Sequence, residues 1–250
     1  MKNLIVSLAT IGLLLSSALA QNAHAVLVNL GPGSFTPAAS VITFSEPGYP
    51  VGTVNPVYNF TGLSGLGNVT VSFGGHFVGQ TASGGFPVTL SDHTPTSPLA
   101  IDPSAPDTFI ANDNATPTSP ILSGTPYGNG PISVFFSTPV AGVGLSGGYF
   151  NTIGATTIEA YDANGDILGS LVNSQLGIEF YGLADSTGAN VISGISFFIT
   201  GSEPAGFGID NLTFGAKDVI NPTVPEPSTF LLLGAGLGGL ALLRRKVKKQ

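Results

Sequence analysis

No cysteine occurs in the 250 residues, so disulfides and thiol chemistry are excluded. Export is not excluded with them, because a chain of this length can bury a core without covalent staples. Tryptophan is absent too, and the one methionine is the initiator. Base is nearly missing from the interior. Of seven Lys and Arg, Lys2 lies near the start and Arg244, Arg245, Lys246, Lys248 and Lys249 lie at the end, leaving Lys217 alone between them. Residues 26–222 therefore carry thirteen acids against one base, a formal charge of −12. Such a surface repels nucleic acid and anionic lipid, since phosphate binding needs clustered Lys and Arg. It attracts cations, Ca²⁺ included.

What is abundant is glycine (35) and proline (19), with Val, Ile, Phe and Leu in short runs. This is the composition of an all-β protein. Strand signals recur at 41–44, 69–73, 132–136, 156–161, 167–172, 195–200 and 209–214, and Val69-Thr70-Val71-Ser72-Phe73 alternates with period two. Turn pairs such as Asn164-Gly165 and Gly147-Gly148 separate them. No helical stripe is present outside the two ends. The expectation is one domain over 26–222, an antiparallel two-sheet sandwich that is jelly-roll-like. Residues 92–131, rich in Pro, Thr, Ser and Asn, form a long excursion with one or two short strands. That excursion is read either as a mobile loop or as a glycosylated or ligand-contacting one.

The ends are of another kind. Lys2 precedes an apolar stretch from Leu4 to Leu15, and small-x-small triplets follow at Ala18-Leu19-Ala20 and Ala23-His24-Ala25. This is a signal peptide over 1–25, forming a signal helix, with cleavage by signal peptidase after Ala25 and Ala20 as the second choice. At the other end stand Val224-Pro225-Glu226-Pro227-Ser228, an uncharged apolar run over 229–243, and a basic tail over 244–249 that begins Arg244-Arg245. Pro225 and Pro227 resist helix and keep Glu226 extended. The apolar run, read as a short transmembrane helix, spans about 22 Å of a roughly 30 Å hydrocarbon core. It suits transient residence in the inner membrane, with the basic tail on the cytoplasmic side.

This three-part end, over 223–250, resembles the PEP-CTERM sorting signal. The resemblance implies handling by an exosortase in a Gram-negative bacterium, with an inner-membrane-anchored precursor that passes to the cell surface or extracellular matrix. It also implies association with exopolysaccharide and biofilm systems, and cleavage near the motif. A weaker resemblance covers about residues 131–215. The stretches Phe136 to Gly144, Ile158 to Gly165 and Phe207-Gly208-Ile209-Asp210-Asn211-Leu212-Thr213-Phe214 are similar to PEP-CTERM ectodomains, and through them to jelly-roll carbohydrate-binding modules.

Candidate chemistry is sparse. Asp162-Ala163-Asn164-Gly165-Asp166 begins like an EF-hand loop, but Gly165 falls at position 4 instead of 6 and Asn173 stands where a bidentate Glu is needed. A hairpin turn is the better reading. A jelly roll whose first and last strands lie together would bring Glu46 toward Asp210 and Asn211, hard oxygen ligands of the type Ca²⁺ takes. The related modules hold a structural calcium in such a place; the alternative is that Asp210 and Asn211 only terminate a strand. For sugar, Tyr149-Phe150-Asn151 following Gly147-Gly148 offers an aromatic and an amide, with neighbours on opposite faces of a strand. The alternative is an ordinary core aromatic beside a rim tyrosine. His76 and His93 lack zinc spacing, no Gly-x-Ser-x-Gly elbow occurs, and Glu46, Glu159, Glu179 and Glu203 nominate no glycosidase pair.

The expected function is thus a non-enzymatic exported protein of the surface or matrix, associated with exopolysaccharide or other surface glycans. The alternatives are a specific calcium-dependent carbohydrate-binding module and, behind it, a matrix polysaccharide hydrolase.

Overall fold

The computed structural model describes residues 27–113, 120–204 and 206–221. The signal helix, the transmembrane helix, the sorting motif and the basic tail expected from the sequence lie outside the described residues. Among those residues no helix is long and apolar enough to cross a membrane.

Fifteen strands are described. In chain order they are β1 (Leu27–Asn29), β2 (Ser40–Ile42), β3 (Val57–Leu63), β4 (Gly67–Gly74), β5 (Thr81–Ala82), β6 (Leu90–Asp92), β7 (Thr108–Asn112) and β8 (Pro120–Gly124). Then follow β9 (Ile132–Val140), β10 (Gly142–Phe150), β11 (Thr156–Tyr161), β12 (Ile167–Val172), β13 (Gly177–Asp185), β14 (Ile192–Ile199) and β15 (Gly208–Gly215). One sheet runs β1-β13-β10-β15-β8-β7, with β2 also pairing β15; the second runs β12-β11-β14-β9-β4-β3; β5 and β6 form a small ribbon. The pairings are antiparallel throughout. The fold is therefore an all-β, two-sheet antiparallel sandwich.

From β8 onward the chain passes repeatedly between the layers. It places β8-β15-β10-β13 in one sheet and β9-β14-β11-β12 in the other. The sharpest passage is from β9 to β10 through the single buried residue Ala141, whose N–H bonds Gly215 O at 2.9 Å.

Period two explains the core. In β4, Val69, Val71 and Phe73 point inward while Thr70 and Ser72 point outward. Aromatic rings from both sheets then meet. Phe214 of β15 contacts Phe60 of β3 and Phe136 of β9, with centroids 5.1 and 5.3 Å apart. Phe197 of β14 packs against Tyr181 of β13 at 5.1 Å and Phe150 of β10 at 6.1 Å. Each fully buried ring contributes about 1.5–3 kcal/mol of transfer free energy, and edge-to-face pairing adds to it.

The two outer faces are treated differently. β11 and β14 are buried at every position, on both sides. The segment that follows β4 covers the outer side, where Phe77 and Leu99 pack on Tyr161, with Ile101 and Phe135 beside them. Beneath that cover Tyr161 donates to Glu159 at 2.7 Å, Gln80 donates to Tyr161 at 3.0 Å, and Ser133 pairs with Ser196 at 2.8 Å. The larger sheet keeps an open outer face around β10, β13 and β15, where Ser146, Ile178 and Asp210 retain solvent contact. That difference decides where a ligand can reach a sheet.

Two sequence expectations need correction. Residue 44 is not in a strand: β2 ends at Ile42, and Phe44 takes a left-handed φ of 56° while remaining buried. And Gly147-Gly148, read as a turn pair ahead of a strand at Tyr149-Phe150, lies inside β10, a nine-residue central strand. Its glycines are places of close approach. A β-carbon on Gly144 would lie 2.6 Å from the Phe180 ring, and one on Gly147 would lie 2.7 Å from the Phe197 ring.

Candidate functional site

A cleft of about 290 Å³ lies on the open face of the larger sheet. Its floor follows from the register of β10 against β15, which sets Ser146 opposite Asp210 and Gly148 opposite Gly208. Leu145 and Ile209 point into the core, so their neighbours Ser146 and Asp210 face outward. Cross-strand partners place their β-carbons about 4.5–5.5 Å apart, which brings a hydroxyl and a carboxylate side by side. Asn211 adds an amide. Its backbone N–H donates to Asp210 Oδ1 at 2.6 Å and its Nδ2 donates to Oδ2 at 2.9 Å. Asn211 has φ 52°, a conformation that Asn tolerates better than most residues.

One wall is apolar and exposed. Tyr149, at the end of β10, is 54% exposed, and Ile178 of β13 is 56% exposed. The tyrosine ring lies over Gly177, where a β-carbon would come within 3.6 Å of it. Phe150, next in the chain, is fully buried, so the two aromatics face opposite ways. Ile121 of β8 and Asp113, just after β7, complete the lining. The cleft thus has two carboxylates, an amide, a hydroxyl, an aromatic ring and aliphatic surface. Among the described residues no base lines it: Lys217, the only one there, lines a separate depression with Ser64 and Asp218.

The tyrosine wall is anchored from below. Glu203, 1% exposed, accepts the backbone N–H of Asn151 at 2.8 Å through Oε1 and that of Thr152 at 3.1 Å through Oε2. Asn173, also buried, donates to Thr152 O at 2.8 Å and accepts the N–H of Thr156 at 3.0 Å. Two buried polar side chains therefore fix the loop that follows Tyr149. Tyr181 stands nearby in the core, its phenol pushed above the ordinary range chiefly by burial, with Glu179 and Glu203 adding to it.

The structure brings together three residues singled out from the sequence, Tyr149, Asp210 and Asn211, and leaves two elsewhere. Asn151 is not in the lining; its backbone serves the loop anchor. Glu46 turns back on its own strand end, accepting from Thr43 N at 2.6 Å and Thr43 Oγ1 at 3.0 Å, in a different depression with Phe44 and Tyr49. Its carboxylate also raises the pKa of the buried Tyr58 phenol, second to burial itself. The expected calcium set is thus divided between two depressions. Among the described residues no three His, Asp or Glu come together to hold a metal. His76 and His93 have separate partners, Asp102 at 3.9 Å and Glu159 at 3.5 Å. Asp162 to Asp166 closes the β11–β12 hairpin, with Asp162 N bonded to Asp166 O at 3.0 Å and Gly165 at φ 87°.

Sequence reasoning missed Ser146, Ile178, Ile121, Asp113 and the anchor Glu203. Nothing local marks them, since Ser146, Ile178 and Ile121 acquire their places from their strands, while Asp113 and Glu203 acquire theirs from loops that the fold brings to the cleft. The signal-cleavage residues Ala23 and Ala25, and the motif residues Val224, Pro225, Glu226, Pro227, Ser228, Arg244 and Arg245, lie outside the described residues.

Comparison with known proteins bears on the chain's end. No curated protein matches it. A family model described as the PEP-CTERM protein-sorting motif matches residues 223–246. The chain is accordingly an exported, surface-directed protein that carries an exosortase sorting signal.

Proposed function

We propose that this is a non-enzymatic protein of the cell surface or extracellular matrix that holds exopolysaccharide in the cleft of its larger sheet. The domain is read as a jelly roll from β8 to β15, because its strand order, β8-β15-β10-β13 over β9-β14-β11-β12, alternates between layers as two Greek keys do. Fold alone does not name a ligand. The observation that carries the reading is the convergence of Tyr149, Ser146, Asp210 and Asn211 in one cleft. An exposed aromatic ring suits the apolar face of a pyranose, and carboxylate, amide and hydroxyl suit its hydroxyl groups. The remaining glutamates support a binding role over hydrolysis. Glu203 and Glu179 are occupied by loop amides, and Glu159 is occupied by Tyr161 under the covering segment.

In this reading signal peptidase cuts after Ala25 in a Gram-negative cell. The precursor stays in the inner membrane through residues 229–243 until exosortase acts near Pro225-Glu226-Pro227. Intact-mass analysis of the surface protein should then show loss of residues 244–250; their retention refutes the processing step.

The binding test uses the exported protein purified from its host, probed on a glycan array and with the host's exopolysaccharide, in Ca²⁺ and in chelator. Saturable binding that falls at least ten-fold in Tyr149→Ala, with melting temperature unchanged, is expected. Equal binding by the variant, or no binding by either, overturns the reading. A response to chelator would mark the module as calcium-dependent.

A further inference from the structure

We infer that the α-ammonium of Val26, created when the signal peptide is removed, closes on the buried carboxylate of Asp185, so that the domain is completed by its own maturation. The inference rests on the reading of cleavage after Ala25 and adds what the new terminus does.

Among the described residues the buried carboxylates are those of Glu159, Asp185 and Glu203. Glu203 gives one oxygen to each of two loop amides, and Glu159 faces Tyr161 with one oxygen and His93 with the other. Asp185, 2% exposed, is used on one side only. Its Oδ1 accepts from Thr187 N at 2.9 Å, from Ala189 N at 3.1 Å and from the Thr187 hydroxyl, which holds the turn between β13 and β14. Its Oδ2 is buried and has no hydrogen-bond partner. A buried charged oxygen left bare is costly, and such an atom calls for a donor. Lys217, the one base in residues 26–222, does not supply it, because its Nζ donates to Thr187 O at 3.1 Å. Asp218, the other charged group beside that turn, accepts from Ser64.

The missing donor belongs to the residue before β1. Leu27 stands opposite Asp185, and cross-strand partners share a face. That face is the inner one, since a β-carbon on Gly169 of the other sheet would lie 3.2 Å from Leu27 Cδ1. Leu30 N donates to Gly182 O at 2.8 Å. Hydrogen-bonded and open pairs alternate outward from there, which makes Leu27 and Asp185 an open pair, with the chains at their closest. The same alternation carried one residue further turns the nitrogen of Val26 toward β13, beside Asp185. As a peptide N–H that nitrogen is a single neutral donor. As a free terminus it brings positive charge and up to three donors, and a charge-assisted bond to a carboxylate is about twice as strong as a neutral one. A cut after Ala20 would leave a peptide bond there, so Ala25 is the cut that completes the fold. Before cleavage the precursor lacks the pair, and the domain is less stable until the signal is gone.

The test uses the exported protein purified from its host. N-terminal sequencing should return Val26, and its α-amine, followed by NMR, should titrate well above the ordinary value of about 7.7–8.0. Because the native value is the higher one, the stability from the pair is complete below about pH 8 and is lost as the pH rises through the native value. In Asp185→Asn, whose amide carbonyl still serves the turn, the amine should return to its ordinary value. The melting temperature at neutral pH should fall by about 4–8 °C. Ala23→Leu with Ala25→Leu moves the cut to Ala20 and leaves residues 21–25 in place. This longer form should melt lower by a similar amount, and adding Asp185→Asn should cost it little more. A terminus at Gln21 in the unaltered protein removes the cleavage reading and the pair together. A terminus at Val26 whose amine titrates at the ordinary value, or an Asp185→Asn cost equal in the short and long forms, refutes the pair and leaves the cleavage reading standing.

Discussion

Glu203 offers the sharpest connection between core chemistry and the cleft. Replacing it with alanine removes the acceptor of two backbone N–H groups, on Asn151 and Thr152, that follow directly from the Tyr149 wall. Hydrogen bonds to a charged partner contribute about 1.5–3 kcal/mol each. Both amides are only part-buried, so water recovers a share of that, and a combined loss of about 2–4 kcal/mol is expected. For a domain of this size 1 kcal/mol corresponds to about 2–4 °C, so the melting temperature should fall by roughly 4–16 °C. Glu203→Gln should cost less, because its carbonyl keeps one amide while its NH₂ group opposes the other. Thermal unfolding followed by circular dichroism gives the magnitude. Hydrogen exchange gives the place: amides 149–154 should lose more protection in Glu203→Ala than β4, β9 and β14, which lose only what the global change in stability imposes. Glycan affinity should drop in step with that local loss. An unchanged melting temperature together with unchanged protection at 149–154 would refute the anchoring role.

Alkali should unfold the domain for a specific reason. The phenols of Tyr58, Tyr161 and Tyr181 are all raised, first by burial; Glu46 adds to the shift at Tyr58 and a hydrogen bond to Glu159 adds to it at Tyr161. An unfolded tyrosine ionises near pH 10, so the native state binds more protons above that pH. The associated stability is complete below about pH 10 and is lost as the pH climbs toward the native values. Absorbance at 295 nm should show these three of the six tyrosines ionising together with loss of the β signal in circular dichroism; smooth titration of all six in an intact fold contradicts this. Truncating Phe214 to alanine removes contacts to Phe60 and Phe136 across the two sheets, and should cost about 3–5 kcal/mol in a denaturant titration. A loss under 1 kcal/mol would mean that the sheets do not meet there.

Much of the strand content was legible because alternation is local. The expected strands 156–161 and 167–172 coincide with β11 and β12, and 69–73 lies inside β4. Three long strands escaped. β3, β10 and β13 carry glycines or exposed apolar residues that blur the alternation, and in β10 the small residues make sense only once Phe180 and Phe197 are seen filling the space above them. The site was half legible. Tyr149, Asp210 and Asn211 were selected for their chemistry, yet Glu46 was grouped with Asp210 on the premise that first and last strands adjoin. The strands do adjoin, since Ile42 pairs with Leu212. But the chain turns at Phe44, and Glu46 folds back onto Thr43.

The sequence by itself determined the protein's address and its charge. A sorting motif is a contiguous segment, read by other molecules as a linear string, so its meaning does not wait on folding. The single interior base and thirteen acids are likewise a matter of composition. The tertiary structure alone decided which residues share a surface. Ser146 meets Asp210 across 64 positions of chain because β10 and β15 pair in one register, and Glu203 reaches Asn151 across 52. It also decided which face stays open, by laying the segment after β4 over one sheet and covering the other only in part, around Phe35, Val219 and Ile220. Register and layer order are set by the summed packing of both sheets, and a slip of one residue would turn Ser146 and Asp210 into the core. No local pattern holds that information.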